Sequence, residues 1–205
     1  MELEEYYGEA LPTLREAEQT LWSIVNACPA QESVGGVQPV IYCKSRIKKP
    51  DSMMRKLASR GLSTDAGTAL REMHDAVGMR VVCSFVDDVY EVSRWLQARD
   101  EYEVLEVKDY ISYPKPNGYR SLHLILRFTG GRMKGLQAEI QLRTIAIDFW
   151  AALEHQMKYK QAIDGSYEKI VREELKRCAD EIASVDISMQ TIRDLLCGKE
   201  MSTLQ

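Results

Sequence analysis

A chain of 205 residues fits one domain, long enough to bury a real core and to carry helical extensions. Its 45% hydrophobic and 28% charged residues are those of an ordinary soluble globular protein; the formal net charge is −4, yet Lys44, Arg46, Lys48 and Lys49 gather positive charge in one place. Five cysteines without a C-x-x-C pair argue against structural zinc or a disulfide framework. With no signal-peptide layout and no apolar run of about 20 residues, they point to reduced thiols in the cytoplasm.

The spacing of Tyr7, Leu11, Leu14, Ala17, Leu21 and Val25 predicts a helix to about Ala27, bent or restarted at Pro12. Pro29 to Pro39, with Gly35 and Gly36, reads as a loop. Val40 to Ile47 reads as a strand, Ser52 to Arg60 as a helix stopped by Gly61, and Thr64 to Met73 as a second short helix. A β-branched strand over Met79 to Phe85 and a helix over Val89 to Ala98 follow. Strands are expected at about Tyr102 to Val107, Arg120 to Phe128 and Leu136 to Arg143, the last two joined as a hairpin across Gly130 and Gly131. Helices from Ile145 to Tyr159 and from Tyr167 to Leu196 complete the chain. This order predicts an α/β (α+β) fold, a mixed β-sheet with helices packed on it. In the last helix Val171, Leu175, Cys178, Ile182, Val185, Met189, Ile192 and Leu196 form a heptad seam. Its expected partner is chiefly the first helix of the same chain; an oligomer interface is the other reading.

Five groups of residues can carry chemistry, and each has a plainer reading. Arg46 and Lys48 share a strand face, and Ser52 and Lys56 share a helix face; they can hold a polyphosphate or simply form a solvated basic edge. Asp75 precedes a strand that carries Arg80; the pair suits Mg²⁺ and a stacked base, or a turn aspartate and a surface arginine. A loop with Pro114, Lys115, Pro116, Asn117 and Gly118 delivers Tyr119 to a strand. If that strand begins near Tyr119, then Tyr119, Ser121 and His123 share one face, fit for a base and its phosphates or merely solvated. Glu139, Gln141 and Arg143 share another strand face, where a carboxylate can bind metal and take a proton, or pair in a salt bridge. Around Asp148 to His155, Phe149, Ala152 and Leu153 are expected toward the core, with Trp150 and Glu154 toward a pocket; His155 reads as structural.

The order of these groups carries more than any one of them. R-I-K-K-P-x-S-x-x-x-K, D-x-x-G-x-R, K-D-Y-I-x-x-P-K-P-N-G-Y-R-S-L-H, E-I-Q-L-R-T and D-F-W-A-x-L-E-H together resemble the synthetase domain of the RelA/SpoT family, from about Tyr42 to Lys160. No His-Asp metal motif precedes Arg46, so the chain is similar to the stand-alone small alarmone synthetases. The resemblance implies a nucleotidyltransferase-like sheet flanked by helices. It divides the chain into an N-terminal helix and loop (1–38), a catalytic core (39–162) and a C-terminal helical extension (163–205).

It also implies an activity, transfer of pyrophosphate from ATP to the 3′-hydroxyl of GDP or GTP in the stringent response, with release of AMP. Arg46 and Arg80 would sandwich adenine, and Lys48, Ser52 and Lys56 would hold ATP phosphates. Asp75 and Glu139 would bind Mg²⁺, with Glu139 also the base for the 3′-hydroxyl. Tyr119 would stack on guanine, with Lys115, Asn117, His123 and Gln141 holding or supporting the acceptor. The family implies a homotetramer. Regulation by product or by single-stranded RNA occurs in part of the group, but Tyr42-Cys43-Lys44-Ser45 differs from the Phe-x-Thr-Gly expected there. Glu106 to Asp109 mixes two variants linked to acceptor choice, which leaves GDP against GTP open. Two alternatives stand beside this reading: an inactive nucleotide- or RNA-binding relative, and an adenosine-alarmone synthetase of the same fold.

Overall fold

Residue alternation builds a sheet with one apolar and one polar face. The computed structural model describes residues 1–29, 37–160 and 167–198. β1 (Val40–Ile47), β2 (Val77–Cys83), β3 (Tyr102–Asp109), β4 (Leu122–Phe128) and β5 (Gln137–Thr144) lie in the order β1-β2-β5-β4-β3. β2 and β5 run parallel, and the other neighbours pair antiparallel. Met79 and Val81 of β2, Leu122, Leu124 and Leu126 of β4, and Ile140 and Leu142 of β5 point into one core. There they meet Leu14, Ala17 and Leu21 of α2 (Leu11–Asn26) and Val89, Val92 and Leu96 of α5 (Val86–Gln97). Each large apolar side chain so buried adds roughly 1.5–3 kcal/mol.

The other face is polar where β1, β2, β5 and β4 adjoin. Lys44 lies opposite Arg80, Arg80 opposite Gln141, and Gln141 opposite His123, forming one row across four strands. In the next row Arg46, Gly78 and Glu139 are neighbours. Gly78 has an ordinary backbone conformation, and a Cβ there would meet only Arg46 Cγ at 4.0 Å. Its role is space: it leaves a gap between an arginine and a carboxylate.

The first helix restarts as expected. α1 (Leu3–Tyr7) passes through a short 3₁₀ turn into α2, with Pro12 in its first turn. Between β1 and β2 stand α3 (Pro50–Ala58) and α4 (Ala66–Glu72), the latter capped by Asp65, whose carboxylate accepts from Thr68 N at 2.8 Å. Several boundaries move. The strand expected over Met79 to Phe85 begins at Val77 and ends at Cys83, because Asp88 accepts from Phe85 N and starts α5 there. β4 begins at Leu122 rather than Arg120. Most of the expected loop from Pro29 to Pro39, and the division at 162, lie outside the described residues.

The last two helices differ most from expectation. α7 (Glu168–Leu196) packs chiefly on α6 (Ile145–Lys160) and on α5, not on the first helix. Its buried residues are Ala179, Asp186 and Arg193, seven apart. Asp186 accepts from Thr144 Oγ1 at the start of α6, and Arg193 forms an ion pair with Asp87 of α5 and covers the ring of Phe85. In the heptad seam only Leu175, Cys178 and Ile182 pack inward, whereas Val185, Met189, Ile192 and Leu196 are exposed. α6 is likewise turned from expectation: Phe149 and Leu153 are 59% and 43% exposed, while Trp150 is buried and donates its Nε1–H to Leu175 O. The indole thus joins α6 to α7 and lines no polar pocket.

Candidate active site

A cleft of about 250 Å³ opens on the polar face, lined by Arg46, Asp75, Arg80, Glu139 and Gln141 together with Lys44 and Gly78. Strand alternation aims Arg46, Arg80, Glu139 and Gln141 at it. Asp75 enters from the turn just before β2. There Lys48 N donates to Ala76 O at 2.9 Å, which ties the end of β1 to this turn.

Asp75 is held by two lysines. Nζ of Lys48 and of Lys56 each approach Oδ2 at 2.8 Å, while Oδ1 is buried without a hydrogen-bond partner. Burial pushes this carboxyl up, but the hydrogen bonds and charges of Lys48 and Lys56 outweigh it and hold the pKa below the ordinary value. Ser52 lies one turn before Lys56 on α3. Across the cleft, Glu139 Oε1 meets His123 Nδ1 at 2.6 Å and accepts from Gln141 Nε2 at 3.1 Å. Burial again raises this pKa, and the hydrogen bond and charge of His123 and the amide of Gln141 bring it below normal; Asp75 opposes them from nearby. Two ionised carboxylates therefore face one cleft, one with an unpartnered oxygen.

The tyrosine loop reaches the same place. Tyr119 OH lies 2.9 Å from His123 Nε2 and accepts from Arg143 Nη2 at 2.8 Å. His123 thus bridges the Tyr119 hydroxyl, at Nε2, and the Glu139 carboxylate, at Nδ1, while Arg143 donates to the same phenol oxygen. Lys115 Nζ lies over the rings of Tyr110 and Tyr119, at 4.5 and 4.9 Å from their centroids. Asn117 is placed elsewhere: its amide donates to Glu154 Oε1 at 3.1 Å, and its oxygen accepts from Tyr119 N, which shapes the loop. Ser121 is fully buried and donates to Leu142 O instead of facing the cleft beside Tyr119 and His123.

Three residues given no role in the site from the sequence hold it together. Arg143 is 4% exposed and donates to Asp148 Oδ1 at 2.9 Å, as well as to Tyr119 and Gln141. Arg80 reaches the same Asp148 oxygen at 3.1 Å, and Tyr42 OH donates to Oδ2 at 2.8 Å. One carboxylate thus sits between two arginines. Burial and the nearby Arg143 lower the Arg80 pKa, and Asp148 opposes them. Strand alternation had already put Arg143 on the face of Glu139 and Gln141, without saying what it meets. The Tyr42–Asp148 contact carries no such signal, because the two residues lie 106 apart.

Known proteins share this chain's sequence motifs and fold. The family model described as "Region found in RelA / SpoT proteins" matches residues 45–164. The chain is 39% identical over 163 residues to GTP pyrophosphokinase YwaC of Bacillus subtilis, covering 78% of this chain and 77% of that protein. Among solved structures it is similar to small alarmone synthetase 1 of Bacillus subtilis bound to its product pppGpp, with a TM-score of 0.77 and 30% identity over 88% of this chain and 93% of that one. A GTP pyrophosphokinase family protein from Streptococcus pneumoniae superposes with a TM-score of 0.80 at 31% identity, over 97% of each chain. The ordered motifs, the sheet that carries them and these likenesses converge: the chain belongs to the RelA/SpoT family.

Proposed function

We propose that this chain is an alarmone synthetase that moves the β,γ-pyrophosphoryl group of ATP to the 3′-hydroxyl of GDP or GTP. The observation that carries the reading is the pair of facing carboxylates, Asp75 and Glu139, set between a cationic side and an aromatic one. On the cationic side Arg46 and Arg80 flank the adenine, and Lys48, Ser52 and Lys56 take the phosphates. On the aromatic side Tyr119 stacks on guanine, Lys115 and His123 hold the acceptor's phosphates, and Gln141 steadies Glu139. Asn117 serves the acceptor through the shape of the loop.

Glu139 takes the proton of the 3′-hydroxyl. The oxygen attacks the β-phosphorus, the bond from that phosphorus to the α–β bridging oxygen breaks, and AMP leaves. No protein nucleophile is needed, so positioning and charge neutralisation supply most of the rate. Mg²⁺ fits the donor set: Asp75 offers a buried, unpartnered oxygen beside a second carboxylate. Among the described residues no cluster of three or more His, Cys, Asp or Glu could hold a metal. Two carboxylates suit an ion that fills its shell from substrate phosphates and water. Asp75 and Glu139 would hold it, and when bound it neutralises phosphate charge.

The homotetramer expected of the family is proposed here too. Ile145, Phe149, Leu153 and Met157 form an exposed apolar row on α6, and Val185, Met189, Ile192 and Leu196 another on α7; both suit burial between copies. Among the described residues no helix is long and apolar enough to cross a membrane, in keeping with a proposed cytoplasmic location.

The test is direct. Purified protein is incubated with labelled ATP, Mg²⁺ and GDP, GTP, GMP or ATP as acceptor. A guanosine tetra- or pentaphosphate together with AMP is the expected outcome, from a particle of four chains by light scattering. An adenosine product alone would replace guanine as the acceptor base, and no product with any acceptor would leave only nucleotide binding.

A further inference from the structure

We propose that α7 is a positioning element of the acceptor site, seating the tyrosine loop through Gly118 and the Arg120–Asp180 ion pair. The proposal deepens the synthetase reading and takes from it the role of Tyr119 as the acceptor's stacking partner.

The base of the loop is held by the sheet. Tyr110 N donates to Ser121 O at 2.9 Å, and Asp109 accepts from Ile111 N and Ser112 N. Its tip is not. There Gly118 N donates back to Lys115 O at 2.8 Å in a tight turn, with φ +86 at Gly118. A Cβ on Gly118 would lie 2.7 Å from Ala179 Cβ and 3.0 Å from Lys176 Cα. The backbone rests directly on α7, with no room for a side chain. Two residues on, Arg120 Nη2 pairs with Asp180 at 3.0 Å, while Nη1 donates to Ile111 O at 3.1 Å. One guanidinium therefore ties α7 to both limbs of the loop. Between them, Tyr119 packs on the small cluster formed by Trp150, Ala151 and Ala179.

Three consecutive residues of the loop thus meet α7 or the cluster it closes. α7 fixes the ring of Tyr119 from one side; His123 and Arg143 fix its hydroxyl from the other. Of the donor residues, Arg46, Lys56 and Arg80 stand on β1, α3 and β2 and Lys48 follows the end of β1, whereas α7 packs chiefly on α6 and α5. Loosening the seat should weaken the acceptor and spare ATP. Asp180 is 45% exposed in its side chain and also pairs with Lys176, so neutralising it costs little, and charge reversal is the sharper probe.

The experiment compares wild type, Asp180→Arg, Arg120→Asp and the double variant Arg120→Asp/Asp180→Arg. KM for the guanosine acceptor and for ATP are measured separately, and hydrogen exchange of loop 110–121 is followed without nucleotide. Each single variant is expected to raise acceptor KM about fivefold and leave ATP KM within about twofold, with the double recovering the part due to the ion pair, since an aspartate at 120 cannot donate to Ile111 O. Exchange at 115–121 should rise in the singles and fall back in the double. Equal rises in both KM values, a fall in kcat alone, or a double no better than the singles would overturn the proposal. Unchanged exchange would overturn it even in a protein without turnover, whereas an inactive wild type with the expected exchange pattern would count against the synthetase reading alone.

Discussion

Glu139→Gln is expected to reduce kcat by about 1,000-fold or more, the contribution of a positioned general base, the role proposed for this carboxylate. The substitution keeps the side chain's length and shape, and an amide oxygen can still accept from His123 Nδ1 and Gln141 Nε2. What is lost is the negative charge and the capacity to take the hydroxyl proton. Removing it also leaves Asp75 as the only carboxylate of the facing pair. The chain should stay folded, since Glu139 lies on the polar face of β5, and the apolar face of the same strand keeps Ile140 and Leu142 in the core. Product formation from labelled ATP measures the effect, and circular dichroism checks the fold. Near-normal turnover in a folded variant would remove Glu139 from its role.

The second large effect is on stability. Asp148→Asn leaves Arg143, 4% exposed, and the partly buried Arg80 without their shared counter-charge. Removing one partner of a buried ion pair costs about 3 kcal/mol, which for a chain of this size lowers Tm by roughly 6–12 °C. The pH dependence follows from the same site. Burial raises the Asp148 pKa, but the hydrogen bond from Tyr42 and the charges of Arg80 and Arg143 outweigh it, so the folded value lies below the unfolded one. A carboxyl with a depressed folded pKa contributes stability that is fully present above its unfolded pKa, about 3.9, and is lost as pH falls through the folded pKa. The gap in Tm between wild type and Asp148→Asn should be full at pH 7 and narrow below about pH 4. Equal melting temperatures at pH 7 would mean that the two arginines do not need this carboxylate.

Strand periodicity made the polar face of β5 legible, because alternation alone places Glu139, Gln141 and Arg143 together. It could not say what Arg143 meets, since Tyr42, Tyr119 and Asp148 come from other elements. Helix periodicity failed on α6 for a different reason. Both its faces carry large apolar residues, so hydrophobicity did not distinguish the buried Trp150 from the exposed Phe149 and Leu153. On α7 the apolar seam drew attention away from the docking face, which is built of Ala179, Asp186 and Arg193. A small residue and two charged ones register as surface in any apolar count, yet their ion pairs and hydrogen bonds bury them. The Asn117-Gly118 pair announced a turn; that the turn lies against a helix some 60 residues later is tertiary information.

The two lysines on Asp75 have a consequence for folding. With Lys48 and Lys56 on one acid and His123 on the other, the facing carboxylates already have internal counter-groups. Sites that depend on a metal for their architecture unfold when it is stripped away. Here the scaffold carries its own charge compensation, so a chelator should leave the melting curve of the nucleotide-free protein where it was. The proposed cation would then belong to the working cycle and not to the framework, and protein freed of it could be stored, handled and reloaded without loss of structure.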